Sequence, residues 1–219
     1  MTEERAVRVL QAYFTPLSGR DTGFTGGAWD TFDPSGTRAT SRDVFTADDL
    51  LSCSLLSTPI PGRAAMELLV RQPATFTQML SAIPDDREFA DVPDTHGPEF
   101  QPVRVLYAAL RELPRLGPTR ATKLLARKRP RLVPIVDSVV RSAMPPRTTS
   151  HWALLHAALT NDGGALQERL LDLRSKAGLS DDVSALRVFD VLVWMDGSGN
   201  ADRVLRGQEI RSVESNTDE

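Results

Sequence analysis

Apolar positions recur every three or four residues along most of the chain, the spacing of helices that bury one face. Val7, Leu10 and Phe14 mark a first helix, which Pro16 should end. Leu50, Leu51, Leu55 and Leu56 mark a second. Thr46, followed three residues later by Asp49, gives it the acidic form of a capping box, and Pro59 and Pro61 stop it. Pro61 suits the first turn of the next helix, GRAAMELLVR. A short helix around Phe76, Met79 and Leu80 ends by Pro84, and helix resumes near Phe100 with VRVLYAALREL. HWALLHAALT and ALQERLLDLRSKAG predict two more, split by a turn at 161–164 and stopped by Gly178. Residues 183–195, VSALRVFDVLVWM, are apolar nearly all round and belong in the middle of a bundle. No strand alternation and no solenoid repeat appears, so the expectation is an all-α fold: one helical domain over 1–211 and a polar, disordered tail at 212–219.

Two stretches lack helical spacing. Residues 85–97 hold acids, prolines and a lone His96, as a surface loop does. Residues 18–42 are rich in Gly, Thr, Asp and Ser yet carry Phe24, Trp29 and Phe32, which require either burial in the core or a ligand to stack on.

Composition narrows the function. A single cysteine, Cys53 among apolar neighbours, excludes a disulfide framework and a thiolate metal site. No apolar run is long enough to span a membrane, and the acidic start MTEERAV is unlike a secretory leader, so a cytosolic protein is expected. The net charge of −3 hides a segregation: residues 111–147 hold ten Lys/Arg against Glu112 and Asp137, a charge of +8, leaving −11 on the remainder. Such a stripe attracts anions, although a solvated helix face explains it as well.

Inside that segment runs LPRLGPTRATKLL, residues 113–125. Pro114 closes one helix, Gly117 permits a tight turn, and Pro118 opens another with its φ already helical. The amides near Gly117, Thr119 and Arg120 start that helix unpaired, at the positive end of its dipole, where a phosphate binds well. Arg120, Lys123 and Arg127 follow at helical spacing, with Lys128 beside them, and would extend the contact along a nucleic-acid backbone. An ordinary helical turn punctuated by Gly and Pro is the plain alternative.

The string LPRLGPTRA resembles the LPGxG hairpin of the helix-hairpin-helix DNA glycosylase superfamily, the endonuclease III and adenine-glycosylase type. PIVDSVVR, residues 134–141, matches that family's following Pro-Val-Asp motif at its usual interval, so the likeness covers roughly 105–145, with the hairpin itself at about 105–128. The resemblance implies a two-lobed helical bundle with a DNA-facing cleft, a catalytic Asp137 at a helix start, and a monovalent cation held by hairpin carbonyls, with no other cofactor. Arg115 stands where the family has its first hairpin glycine. Thr119 stands where bifunctional members place a Schiff-base lysine, which implies a monofunctional enzyme if any. The cluster-binding cysteines of some members are missing. KLLARKRPRLVPIVDSVV and GFTGGAWDTF are also similar to a bacterial family of unassigned function.

An ionised Asp137 would stabilise the positive charge that builds on a sugar as an N-glycosidic bond breaks, with Phe24, Trp29 and Phe32 as candidate walls for an extruded base. Its plain role is an N-cap. Arg187 and Asp190, three apart in the apolar helix, read as a buried pair held in reserve for catalysis, and His151 and His156 are too poorly spaced for a metal. Three functions stand open: a monofunctional DNA glycosylase, a DNA-binding module without chemistry on the same scaffold, and a helical interaction protein whose +8 segment docks on acidic partners or on its own acidic surface.

Overall fold

The computed structural model describes residues 1–17, 23–144 and 150–207. The expected tail and Arg147 lie outside the described residues. Those residues form helices, turns and loops with no strand, as the spacing predicts, and no helix is long and apolar enough to cross a membrane.

Helix α1 (Glu3–Phe14) buries Ala6, Val9, Leu10 and Tyr13 along one stripe. A single 3-10 turn, Thr25–Ala28, presses on it. Gly26 and Gly27 allow this approach, since a Cβ on either would overlap the hydroxyl or the carbonyl of Tyr13. Helix α2 (Ala47–Leu55) starts with the expected capping box: Thr46 accepts from the Asp49 amide at 3.3 Å and the Asp49 carboxylate accepts from the Thr46 amide at 2.9 Å. Helix α3 (Gly62–Met66) continues as a π-helical turn, Glu67–Arg71, which the 3.6-residue pattern does not anticipate. Helices α4 (Pro73–Ser81) and α5 (Gln101–Arg111) follow.

A turn joins α5 to α6 (Gly117–Lys128), and the two helices pack against each other. Leu113 and Leu116 anchor the turn in the core. Arg115 and Gly117 both take left-handed backbone, with φ of 59° and 61°. From Ala121 onward α6 is buried on every side, its charged residues included. That overturns the expected solvated stripe.

Helices α7 (Ser138–Ala143), α8 (His151–Thr160), α9 (Ala165–Lys176) and α10 (Ala185–Gly197) complete the expected set. Helix α10 is deeply buried, as its composition requires, and Gly197 lets it meet α7 so closely that a Cβ there would lie 2.6 Å from Val139. A last short helix, α11 (Asn200–Leu205), was not expected. The strongest contacts sort the helices into two groups. Helices α2 to α6 pack among themselves, while α1 crosses back to α9, α10 and α11, and α7 packs on α10. One hydrophobic core runs through both groups.

Candidate functional site

Four consecutive-turn cations of α6 and its end point inward. Lys123 donates to the Leu56 carbonyl at 3.0 Å and lies 3.9 Å from the Asp137 carboxylate. Arg127 reaches the carbonyls of Trp29 and Phe32 and sits 3.4 Å from Asp49. Lys128 binds the Ser41 carbonyl at 2.9 Å and the Asp49 carboxylate. Arg129, just past the helix, serves the carbonyls of Ile83, Leu80 and Arg42 at 2.7–2.9 Å and pairs with Asp43. Lys123, Arg127 and Lys128 therefore do not form the outward face that their spacing suggested. The physical reason is that backbone carbonyls outside any ladder take these donors: those of Trp29, Phe32 and Ser41 in the irregular segment 24–45 take Arg127 and Lys128, and that of Leu56 just past α2 takes Lys123. Burial lowers the pKa of Lys123, Arg127 and Lys128, and nearby carboxylates pull it back: Asp137 for Lys123, Asp49 for the other two.

The hairpin turn lies outside. Pro114 and Arg115 are exposed, and Gly117, Thr119 and Arg120 are half-exposed. A Cβ built on Gly117 meets nothing within 4 Å. Among the described residues no acceptor reaches the amides of Gly117 or Thr119, and no side chain caps the helix. Arg120 folds back, donating to the Pro59 carbonyl at 2.9 Å and the Arg115 carbonyl at 3.3 Å. Arg111, exposed on the end of α5, rests over Tyr107.

Asp137 caps α7, accepting from the Val140 amide at 2.9 Å, and is 8% exposed. The segment before it is tied to α6, because the Val136 amide donates to Thr122 at 3.2 Å. The hairpin thus opens α6 while the carboxylate opens α7, and Lys123 of α6 stands beside that carboxylate.

A second cluster lies deeper, where the two helix groups meet. Arg187 of α10 donates to Asp30 at 2.9 Å, to Asp190 at 2.5 Å, to the Tyr13 hydroxyl at 3.1 Å and to the Gly26 carbonyl at 2.8 Å, and its guanidinium lies over the rings of Tyr13 and Trp29. Burial pushes the Asp190 carboxyl up to about 6, with Asp137 adding to the rise while Arg187 and Lys123 oppose it. A narrow, partly open crevice is lined by Trp29, Ala126, Ile135, Leu186, Arg187 and Asp190. The Trp29 indole nitrogen is buried and meets no acceptor among the described residues. Of the three aromatic candidates only Trp29 reaches this crevice. Phe24 stacks on Tyr13 at 5.2 Å inside the core, and Phe32 contributes its carbonyl to Arg127.

The Arg187–Asp190 pair is legible as a pair in the sequence, since charges in an apolar helix require partners. Asp30 was missed: it sits in a loop 157 residues away and nothing local marks it. No group of three or more His, Cys, Asp or Glu is placed to hold a metal ion among the described residues. Chemically the ensemble offers one carboxyl that titrates late, one capped carboxylate, and an exposed turn with free amides.

No curated protein and no solved structure matches the chain, and nothing in these comparisons supports the glycosylase superfamily. The model of a family of unknown function, DUF6308, matches residues 6–197, a span that takes in the turn, the charge cluster and both helix groups. The chain belongs to this family of unknown function.

Proposed function

We propose that this chain binds the phosphate backbone of DNA through the turn between α5 and α6, as a helix-hairpin-helix module. One observation carries the reading: the amides of Gly117 and Thr119 stand free at the start of a twelve-residue helix, in an exposed turn rimmed by Arg111, Arg115 and Arg120. Free amides, the helix dipole and guanidinium groups favour the same ligand, an anion. Contacts of this kind hold a backbone without reading bases, so sequence preference should be weak. The monovalent cation implied by the family likeness would compete with Arg120 for the Arg115 carbonyl. Fluorescence anisotropy of a labelled mixed-sequence duplex, titrated at several salt concentrations, tests the reading. Affinity should fall steeply with salt, and Arg111→Ala with Arg120→Gln should weaken binding alike on unrelated sequences. No binding at low salt overturns it.

A second reading, a monofunctional glycosylase, draws on the pairing of Asp137 with Asp190 across Lys123, beside a crevice walled by Trp29. A carboxyl pushed up by burial suits an acid role in breaking a glycosidic bond. Because Asp137 is buried, a substrate would have to part the two helix groups to reach it. Product release from a panel of damaged-base duplexes is the measurement. Wild type yielding no more product than Asp137→Asn on every duplex excludes it.

A further inference from the structure

Trp29 is 1% exposed, and its indole N–H is a buried donor that meets no acceptor among the described residues. A donor left unmade in the interior costs free energy, and buried tryptophans ordinarily pair theirs. The ring is held in place. The guanidinium groups of Arg127 and Arg187 lie over it at 5.8 and 5.1 Å, and the next residue, Asp30, is bound to Arg187 at 2.9 Å. Trp29 lines the narrow crevice where α6 and the segment after it meet α10, and Asp190 lines the same crevice. Asp190 binds Arg187 through Oδ2 at 2.5 Å, which leaves Oδ1 to accept from an occupant. Ala126, Ile135 and Leu186 supply aliphatic walls.

These groups restrict what the crevice can take. Arg187 is engaged by Asp30, Asp190, the Tyr13 hydroxyl and the Gly26 carbonyl, so it does not call for an anion. Arg187 and Lys123 also face three carboxyls, Asp30, Asp137 and Asp190, a surplus of acids that repels added negative charge. A cation has no acceptor to offer the indole. The occupant is therefore neutral and carries an acceptor and a donor side by side, within the few heavy atoms that the crevice admits. We infer that the crevice binds a small neutral primary carboxamide, whose carbonyl accepts from the Trp29 indole and whose N–H donates to Asp190. An amide sets both groups on one carbon, and the aliphatic walls cover the rest of it. This site needs no nucleic acid and goes beyond both readings above.

NMR of the isotope-labelled full-length chain tests it. The indole N–H signals of Trp29, Trp152 and Trp194 are followed at about pH 7.5, where Asp190, pushed up to about 6, still carries its charge, and Trp29→Phe identifies the first. Acetamide should shift the Trp29 signal alone, half-saturating on the order of 10 mM as suits a ligand of so few atoms. Acetone has the same shape without the N–H, and acetate has it with a negative charge, so each should bind at least about tenfold more weakly. Asp190→Asn keeps an oxygen for Arg187 and turns the crevice side of the residue from acceptor to donor, so acetamide should lose its lead over acetone. The Trp152 N–H, bonded to the Pro134 carbonyl, should keep its signal in that variant and report an intact fold. No Trp29 shift with acetamide up to about 0.5 M overturns the assignment. Equal binding of acetone and acetamide, or an unchanged preference in Asp190→Asn, does the same. A long-lived water at the Trp29 N–H that acetamide does not displace also overturns it, because water would then be the occupant. Since no DNA is present, each of these failures leaves the two readings above standing.

Discussion

Asp190 contributes to stability in a direction that reverses the usual carboxylate rule. Its carboxyl is pushed up from 3.8 to about 6, chiefly by burial, and Arg187 only partly offsets this. The folded chain therefore holds a proton more tightly than the unfolded chain between those two values, and that stabilisation, complete below about pH 4, is lost as pH rises through about 6. Its size is on the order of 3 kcal/mol from the shift alone. Asp190→Asn removes the titration, and other groups cancel in the difference. Urea unfolding of both proteins at pH 4 and pH 7 should show wild type losing ground to the variant as pH rises. A difference that stays constant would mean that Arg187 keeps the carboxyl ionised throughout. Asp190 was legible as one half of a pair because both charges lie on one apolar helix. Arg187's other partners, Asp30 and Tyr13, were not, since they arrive from distant segments.

Helix α6 is held by what lies around it more than by its own pattern. Asp49 links two elements: it closes the capping box of α2 and receives both Arg127 and Lys128 from α6. Thr46→Ala removes only the cap and should cost about 1 kcal/mol. Asp49→Ala removes the cap and also strands two buried cations, so it should cost roughly 3–5 kcal/mol more. Chemical denaturation with the double variant completes a cycle that isolates the tie between the helices. Equal losses from the two single variants would show that the cations find water or other acceptors at no cost. The starts of α2, α6 and α7 were readable because caps, prolines and glycines act within a few residues. The inward face of α6 was not, because a lysine or arginine at helical spacing is the same on paper whether it meets solvent or a loop carbonyl nearly a hundred residues away.

Over the whole molecule, the segregation of charge in the chain becomes pairing in space. The +8 segment spends most of its cations on Asp43, Asp49, Glu88, Asp137 and backbone carbonyls, so much of the contrast with the −11 remainder is neutralised inside the fold. The all-helical class and most element positions follow from local spacing, while the destination of charge depends on which segments meet, and that is decided by the folded topology. DNA binding makes this measurable. If all ten basic residues of the segment met phosphates, the slope of log affinity against log salt would approach about −9. With only Arg111, Arg115 and Arg120 outward at the hairpin, about three phosphates are engaged and the slope should be near −3. A measured slope near −9 would require the buried cations of α6 to leave their carbonyls on binding, opening the loop they hold. The stability of the complex would then show it, because Asp49→Ala would free Arg127 and Lys128 beforehand and strengthen binding instead of leaving it unchanged.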